Sequence, residues 1–72
     1  MNTPQPREKY KHFKGGEYEV ICIGKNSETE EDMLVYKGLY GDNPIWIRPL
    51  SMFLDMKNLP DGTEVQRFTK ID

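Results

Sequence analysis

The side chains best suited to binding or chemistry in this chain are aromatic and cationic. Tyr36 and Tyr40 fall on one face of an extended segment with Gly38 between them, which leaves a slot without side chains flanked by two phenols. Trp46 and Arg48 share a face of the following segment, close enough for a cation–π contact. If the two segments pair through the turn Gly41-Asp42-Asn43-Pro44, the side chains of Tyr36, Tyr40, Trp46 and Arg48 converge. An aromatic slot with one fixed guanidinium suits a carboxylate, a phosphate or a peptide, because the planar cation grips oxyanions in a forked geometry. The competing expectation is that the rings fill the interior while Arg48 bonds backbone carbonyls or Glu19.

A second constellation lies near the N-terminus. Arg7, Lys9, Lys11 and Lys14 interleave with Tyr10, His12 and Phe13 against a single acid, Glu8. Charge for phosphates and rings for bases is what a site for RNA or single-stranded nucleic acid uses, so Arg7, Lys9, Tyr10, Lys11, His12 and Lys14 form the alternative site. Four positive charges without a wider basic face bind weakly and lose affinity in salt. Packing of Tyr10 and Phe13, with the lysines solubilising the edge, is the favoured expectation.

Signals for catalysis are weaker. A nucleophilic thiolate needs a base within hydrogen-bond reach, and His12 with Cys22 is the one such pair. Strand alternation puts Cys22 on an apolar face with Tyr18 and Val20, which predicts a buried, inert thiol. Glu17 and Glu19 stand about 6–7 Å apart on one strand face, near the spacing of an acid–base pair, yet any strand with two exposed glutamates achieves this. The acidic stretch Lys25–Asp32 lacks the alternating oxygen ligands and glycine of a calcium loop. Glycine-rich phosphate cradles are absent, and one Cys with one His exclude a disulfide framework and make a zinc site of Cys and His implausible. No cofactor, metal or enzymatic activity is expected.

These side chains sit on short elements. Alanine is absent and the six Gly and five Pro disfavour helix. They cut the chain into strand-length pieces. Strands are predicted at Glu17–Gly24, Met33–Tyr40, Ile45–Arg48 and Glu64–Ile71, with a helical turn running into a short strand over Leu50–Asn58. Ser27 and Glu30 have capping-box spacing, but Met33-Leu34-Val35-Tyr36 is contiguous rather than helically spaced, so loop then strand is favoured. The predicted fold is all-β or mainly β, a five-stranded SH3-like barrel with one short helical turn. Residues 1–9 are expected to be a flexible arm and 10–72 a single small domain.

Seventy-two residues leave no room for a second core, and burial of roughly 60% of the unfolded surface makes stability thin. Ten Lys+Arg against twelve Asp+Glu give a net charge of −2, which argues against non-specific DNA coating. No apolar run reaches membrane-span length and the N-terminus lacks the apolar core of a secretory leader, so a cytoplasmic protein without membrane contact is expected. Apolar residues on both faces of two strands motivate a homodimer through a face carrying Ile21, Ile23 and Val35.

The run Tyr10-Lys11-His12-Phe13-Lys14-Gly15-Gly16-Glu17-Tyr18-Glu19-Val20 carries a resemblance. So do Ser27-Glu28-Thr29, Val35-Tyr36, Leu39-Tyr40-Gly41 and Trp46-Ile47-Arg48-Pro49-Leu50-Ser51-Met52-Phe53. Together, over residues 10–71, they resemble the family of small bacterial proteins catalogued as domain of unknown function 1653. The family commonly has His just before the Ser-Glu-Thr element, where this chain has Asn26. Separately, Leu39-Tyr40-Gly41-Asp42 resembles the Ala-Leu-Tyr-Asp signature of peptide-binding SH3 domains. The function expected is a non-enzymatic binding module engaging a peptide or small anionic ligand through Tyr36, Tyr40, Trp46 and Arg48. The alternatives are an accessory that binds RNA or single-stranded nucleic acid through the basic-aromatic N-terminal segment, or a structural dimerisation domain.

Overall fold

The computed structural model describes residues 3–71. Parts of the expected arm and domain, residues 1–2 and 72, lie outside them. The chain is mainly β, in the order β1 (Lys9–His12), β2 (Glu17–Lys25), β3 (Asp32–Gly38), β4 (Ile45–Pro49), α1 (Leu50–Phe53), β5 (Met56–Asn58), β6 (Glu64–Gln66) and β7 (Phe68–Lys70). Five strands form an antiparallel sheet in the order β4-β3-β2-β1-β7, and β5 with β6 forms a separate hairpin. The large sheet ends at two edges, β4 and β7, that do not pair with each other. Among the described residues no closed barrel forms; an open five-stranded sheet over an aromatic core takes the place of the expected barrel.

The core consists of Tyr10, Val20, Leu34, Tyr36, Phe53 and Phe68. Phe53 stacks on Phe68 at 4.1 Å between centroids, and meets the edges of Tyr10 and Tyr36 at 5.1 and 5.4 Å. Four rings in a core of six supply large buried area per residue, which a domain this short requires. The single turn α1 delivers Phe53, resolving the ambiguous stretch Leu50–Asn58 as a helical turn followed by a strand.

Three local features redirect the chain. Register shifts between Val20 and Cys22, so Ile21 is an extra residue in β2. Beyond it Cys22 stands opposite Val35 and Ile23 opposite Leu34. A one-residue slip exchanges the faces, so Cys22 is exposed rather than buried with Tyr18 and Val20. For the same reason Ile23 falls on the side of Leu34, and Ile21, Ile23 and Val35 do not form one face. Secondly, the last predicted strand breaks at Arg67, whose Nε–H donates to Asp55 Oδ1 at 2.6 Å. The residues before Arg67 pair with β5 and those after it with β1. Thirdly, β3 stops at Gly38, two residues short of expectation, with one last in-register bond to β2 from Leu39 N–H to Glu17 O before the chain turns at Gly41.

Residues 3–8, expected as part of a loose arm, lie against the sheet. Pro4 is fully buried, Arg7 N–H donates to Val20 O, and Val20 N–H donates to Glu8 O. These bonds satisfy backbone groups of β2 where β1 has ended. In the loop before β3, Asn26 Oδ1 accepts the N–H groups of Glu28 and Thr29 at 2.9 and 3.3 Å. The loop is thus an Asx-type turn rather than a capped helix, with Glu30 at φ 62° completing it. Lys25 and Asp32, paired across the mouth of the loop, form an exposed ion pair at 2.9 Å. Among the described residues no helix is long and apolar enough to cross a membrane.

Candidate functional site

Pairing through the Gly41–Pro44 turn brings the four predicted side chains to one end of the sheet. Gly41 at φ 53° and Asn43 at φ 54° close that turn, with Asn43 N–H on Tyr40 O. Left-handed backbone is what Gly and Asn tolerate, and Pro44 keeps Asn43 out of the right-handed helical region. Tyr36 then faces Trp46 across β3 and β4, and Leu34 faces Arg48.

The predicted slot between Tyr36 and Tyr40 is not empty. The Tyr40 ring lies across Gly38, where an added Cβ would sit 2.8 Å from Tyr40 Cε2. Glycine at 38 lets the Tyr40 ring fold over the strand, into the space a side chain would take. Tyr36 is buried in the core, whereas Tyr40 keeps 43% of its surface exposed. The expectation of two reachable phenols therefore holds for Tyr40 alone. Tyr18, which strand alternation places only as an inward residue, stands opposite Gly38 and joins the cluster. Its hydroxyl lies 3.4 Å from that of Tyr40, which accepts the Trp46 Nε1–H at 3.2 Å. Cross-strand pairing of a ring with a glycine was the signal that could have found Tyr18.

Arg48 is held from two sides. Its Nε–H donates to the Tyr36 hydroxyl at 3.2 Å, and its guanidinium carbon lies 5.6 Å from the centroid of Phe68. The expected cation–π contact with Trp46 is replaced by this one with Phe68, because the bond to Tyr36 draws the guanidinium toward the core. Among the described residues no carboxylate lies within ion-pair distance of Arg48. Glu19, the anticipated partner, belongs to the row of Lys9 and Lys37 on the other face. Arg67 provides the contrast, since both Nε and Nη2 bond the Asp55 carboxylate, and that bond holds its pKa above the usual arginine value.

His12 shares the Phe68 ring with Arg48, its own ring meeting Phe68 edge-on at 4.9 Å. Nδ1 accepts the Lys14 N–H at 3.1 Å. Burial first, then the positive charges of Arg48, Arg67 and Lys14, push its pKa below the usual histidine value. A shallow groove of about 350 Å³ runs from His12 along Lys11, Phe13, Val65, Gln66, Thr69 and Ile71. The Tyr18 hydroxyl is pushed up to about 12, chiefly by burial and then by its contact with Tyr40. The cluster therefore offers hydrogen-bond donors and a cation at neutral pH.

The basic N-terminal set is dispersed. Tyr10 is a core residue and His12 packs on Phe68, while Lys9 and Lys11 lie opposite Glu19 and Glu17 on the other face. Cross-strand acids cancel the two lysines, Lys14 extends over the Phe13 ring, and Arg7 is exposed at φ 75°. Cys22 and His12 lie on opposite faces of the sheet, which separates the one candidate nucleophile from its base. A second groove, about 510 Å³, lies away from the cluster and is lined by Glu31, Asp32, Leu50, Ser51 and Leu54.

No curated protein matches the chain. A crystal structure of a DUF1653 protein from Bordetella bronchiseptica superposes with a TM-score of 0.78 at 28% sequence identity, covering 93% of this chain and 86% of that one. The model of the family described as "Protein of unknown function (DUF1653)" matches residues 8–70, which spans β1 through β7 and every residue of the aromatic–arginine cluster: this chain belongs to the DUF1653 family.

Proposed function

We propose that the protein is a non-enzymatic binding module that takes the carboxylate or phosphate of a peptide or small ligand at Arg48. The observation that carries this reading is the contrast between two arginines. Arg67 is neutralised by Asp55, while Arg48, held by Tyr36 and Phe68, has no acidic partner among the described residues. A fixed guanidinium with unpaired N–H donors binds oxyanions at little ordering cost, since its rotamer is already set. Trp46, two residues from Arg48 on the same face of β4, and Tyr40, which is hydrogen-bonded to Trp46, are both substantially exposed and can supply an apolar and hydrogen-bonding wall. The separation of Cys22 from His12 supports binding rather than covalent chemistry.

Inorganic phosphate and N-acetylglycine serve as probes of the two oxyanion classes. Titration of either is expected to change the emission of Trp46, the one tryptophan of the chain, and Arg48→Gln is expected to abolish the change while leaving the fold intact. A folded Arg48→Gln variant that responds like the parent would refute the site.

A further inference from the structure

The free edge of β4 has a pattern that matches itself. Gly38 N–H donates to Pro44 O, which fixes the alternation of the β3–β4 ladder. Pro44, Trp46 and Arg48 therefore turn their backbone groups toward β3, while Ile45 and Ile47 turn theirs outward. Those outward groups have no strand beside them, because β4 ends the sheet. The side chains are open as well: Ile45, Trp46 and Ile47 are 54%, 46% and 65% exposed. Natural edges are guarded by prolines, charges, bulges or short length. Pro44 on one side and the inward-drawn Arg48 with Pro49 on the other bound this edge, and the window Ile45–Ile47 between them has no charge, proline or bulge.

We infer that two copies of the chain associate through β4, antiparallel about a two-fold axis at Trp46. In that register Ile45 of one copy faces Ile47 of the other. Each such pair exchanges two backbone hydrogen bonds, so four form in all and two five-stranded sheets join into one. The window suits a second copy because both partners have the same two outward donors, bracketed by Pro44 and by Pro49, which has no N–H. Isologous interfaces require this kind of self-complementarity. Facing positions are uncharged, and a net charge of −2 per chain adds little repulsion. The Trp46 rings would meet across the axis as a close non-hydrogen-bonded pair.

Area sets the strength. At about 25 cal/mol per Å², a fully buried aliphatic side chain removes roughly 60–120 Å². Three half-exposed side chains per copy thus cover far less than the roughly 800 Å² per partner of a standard interface, and association should be weak. A dilution series of the full chain in phosphate-free buffer tests the inference independently of the anion site. Sedimentation is expected to report dimers at high micromolar concentration that dissociate on dilution, with a red shift of Trp46 emission. The Ile45 and Ile47 amides should exchange with deuterium more slowly as concentration rises. Ile47→Lys and Ile45→Lys should each weaken association at least about tenfold, while Met56→Lys, at a similarly exposed apolar position on β5, should not. A strict monomer at high micromolar concentration would overturn the inference, as would a dimer indifferent to both edge lysines.

Discussion

Gly38→Ala separates the cluster's geometry from the stability of the fold. The new methyl would fall 2.8 Å from Tyr40 Cε2 and 2.9 Å from Cζ, so one of them must move. Tyr40 can move, because its contacts are the far end of an exposed side chain rather than backbone. Displacing it breaks the Trp46–Tyr40 hydrogen bond, the Tyr18–Tyr40 hydroxyl contact and an edge-on ring contact of 5.6 Å. Exposed neutral hydrogen bonds contribute about 0.5 kcal/mol each at the low end of their range, and the ring pair adds about 0.5 kcal/mol. Against roughly 1.5 kcal/mol lost, replacing glycine restricts the unfolded chain and returns about 0.4–1 kcal/mol. The net cost should be about 0.5–1 kcal/mol, a drop of about 2–8 °C in melting temperature for a domain of this size. Urea unfolding measures the cost, and Trp46 emission with ultraviolet titration of Tyr18 reports the rearrangement. Release of Tyr40 should lower the Tyr18 pKa from about 12, since that contact is its second-largest cause. A loss above 3 kcal/mol, or an unchanged Trp46 spectrum, would refute the reasoning.

Phe53→Ala should cost about 3–5 kcal/mol, enough to remove cooperative unfolding from so small a domain, because Phe53 is buried and stacked on Phe68; near-UV circular dichroism reads the loss. Asn26→Ala should cost about 1 kcal/mol through the two N–H groups it leaves without the side-chain acceptor, measured by the urea midpoint. His12 has a folded pKa below its ordinary 6.5. The unfolded chain therefore takes up the proton first, so its contribution is fully present above 6.5 and declines as pH falls through 6.5 toward the folded value. Urea midpoints across this window should fall with pH, and His12→Gln should flatten the slope. Cys22 should react with a thiol reagent in the native protein at the rate of an exposed thiol, whereas protection until unfolding would contradict the bulge in β2.

Much of the strand pattern was readable from Gly and Pro spacing, and the convergence of Trp46 and Arg48 with Tyr36 and Tyr40 follows from one turn. What escaped the sequence was set by single contacts. The extra residue Ile21 carries no compositional mark, yet it exchanges the faces of Cys22 and Ile23. Lys9-Tyr10-Lys11-His12 alternates as a strand should, but its charge and aromaticity match a nucleic-acid motif equally well. The division of Glu64–Ile71 depends on Arg67 finding Asp55, twelve residues away. The Gly38 slot looked open because side-chain alternation says nothing about a ring folding back over its own strand.

Arg48, fixed by Tyr36 and Phe68 and without an acidic partner among the described residues, is the group on which the proposed binding rests. Nuclear magnetic resonance of the Arg48 Nε–H and Trp46 Nε1–H signals during titration with inorganic phosphate tests that binding. Saturable shifts of both signals, with the bonded Arg67 Nε–H unmoved, are the predicted result. Arg48 signals that stay put while phosphate rises, or that move no more than those of Arg67, would contradict it.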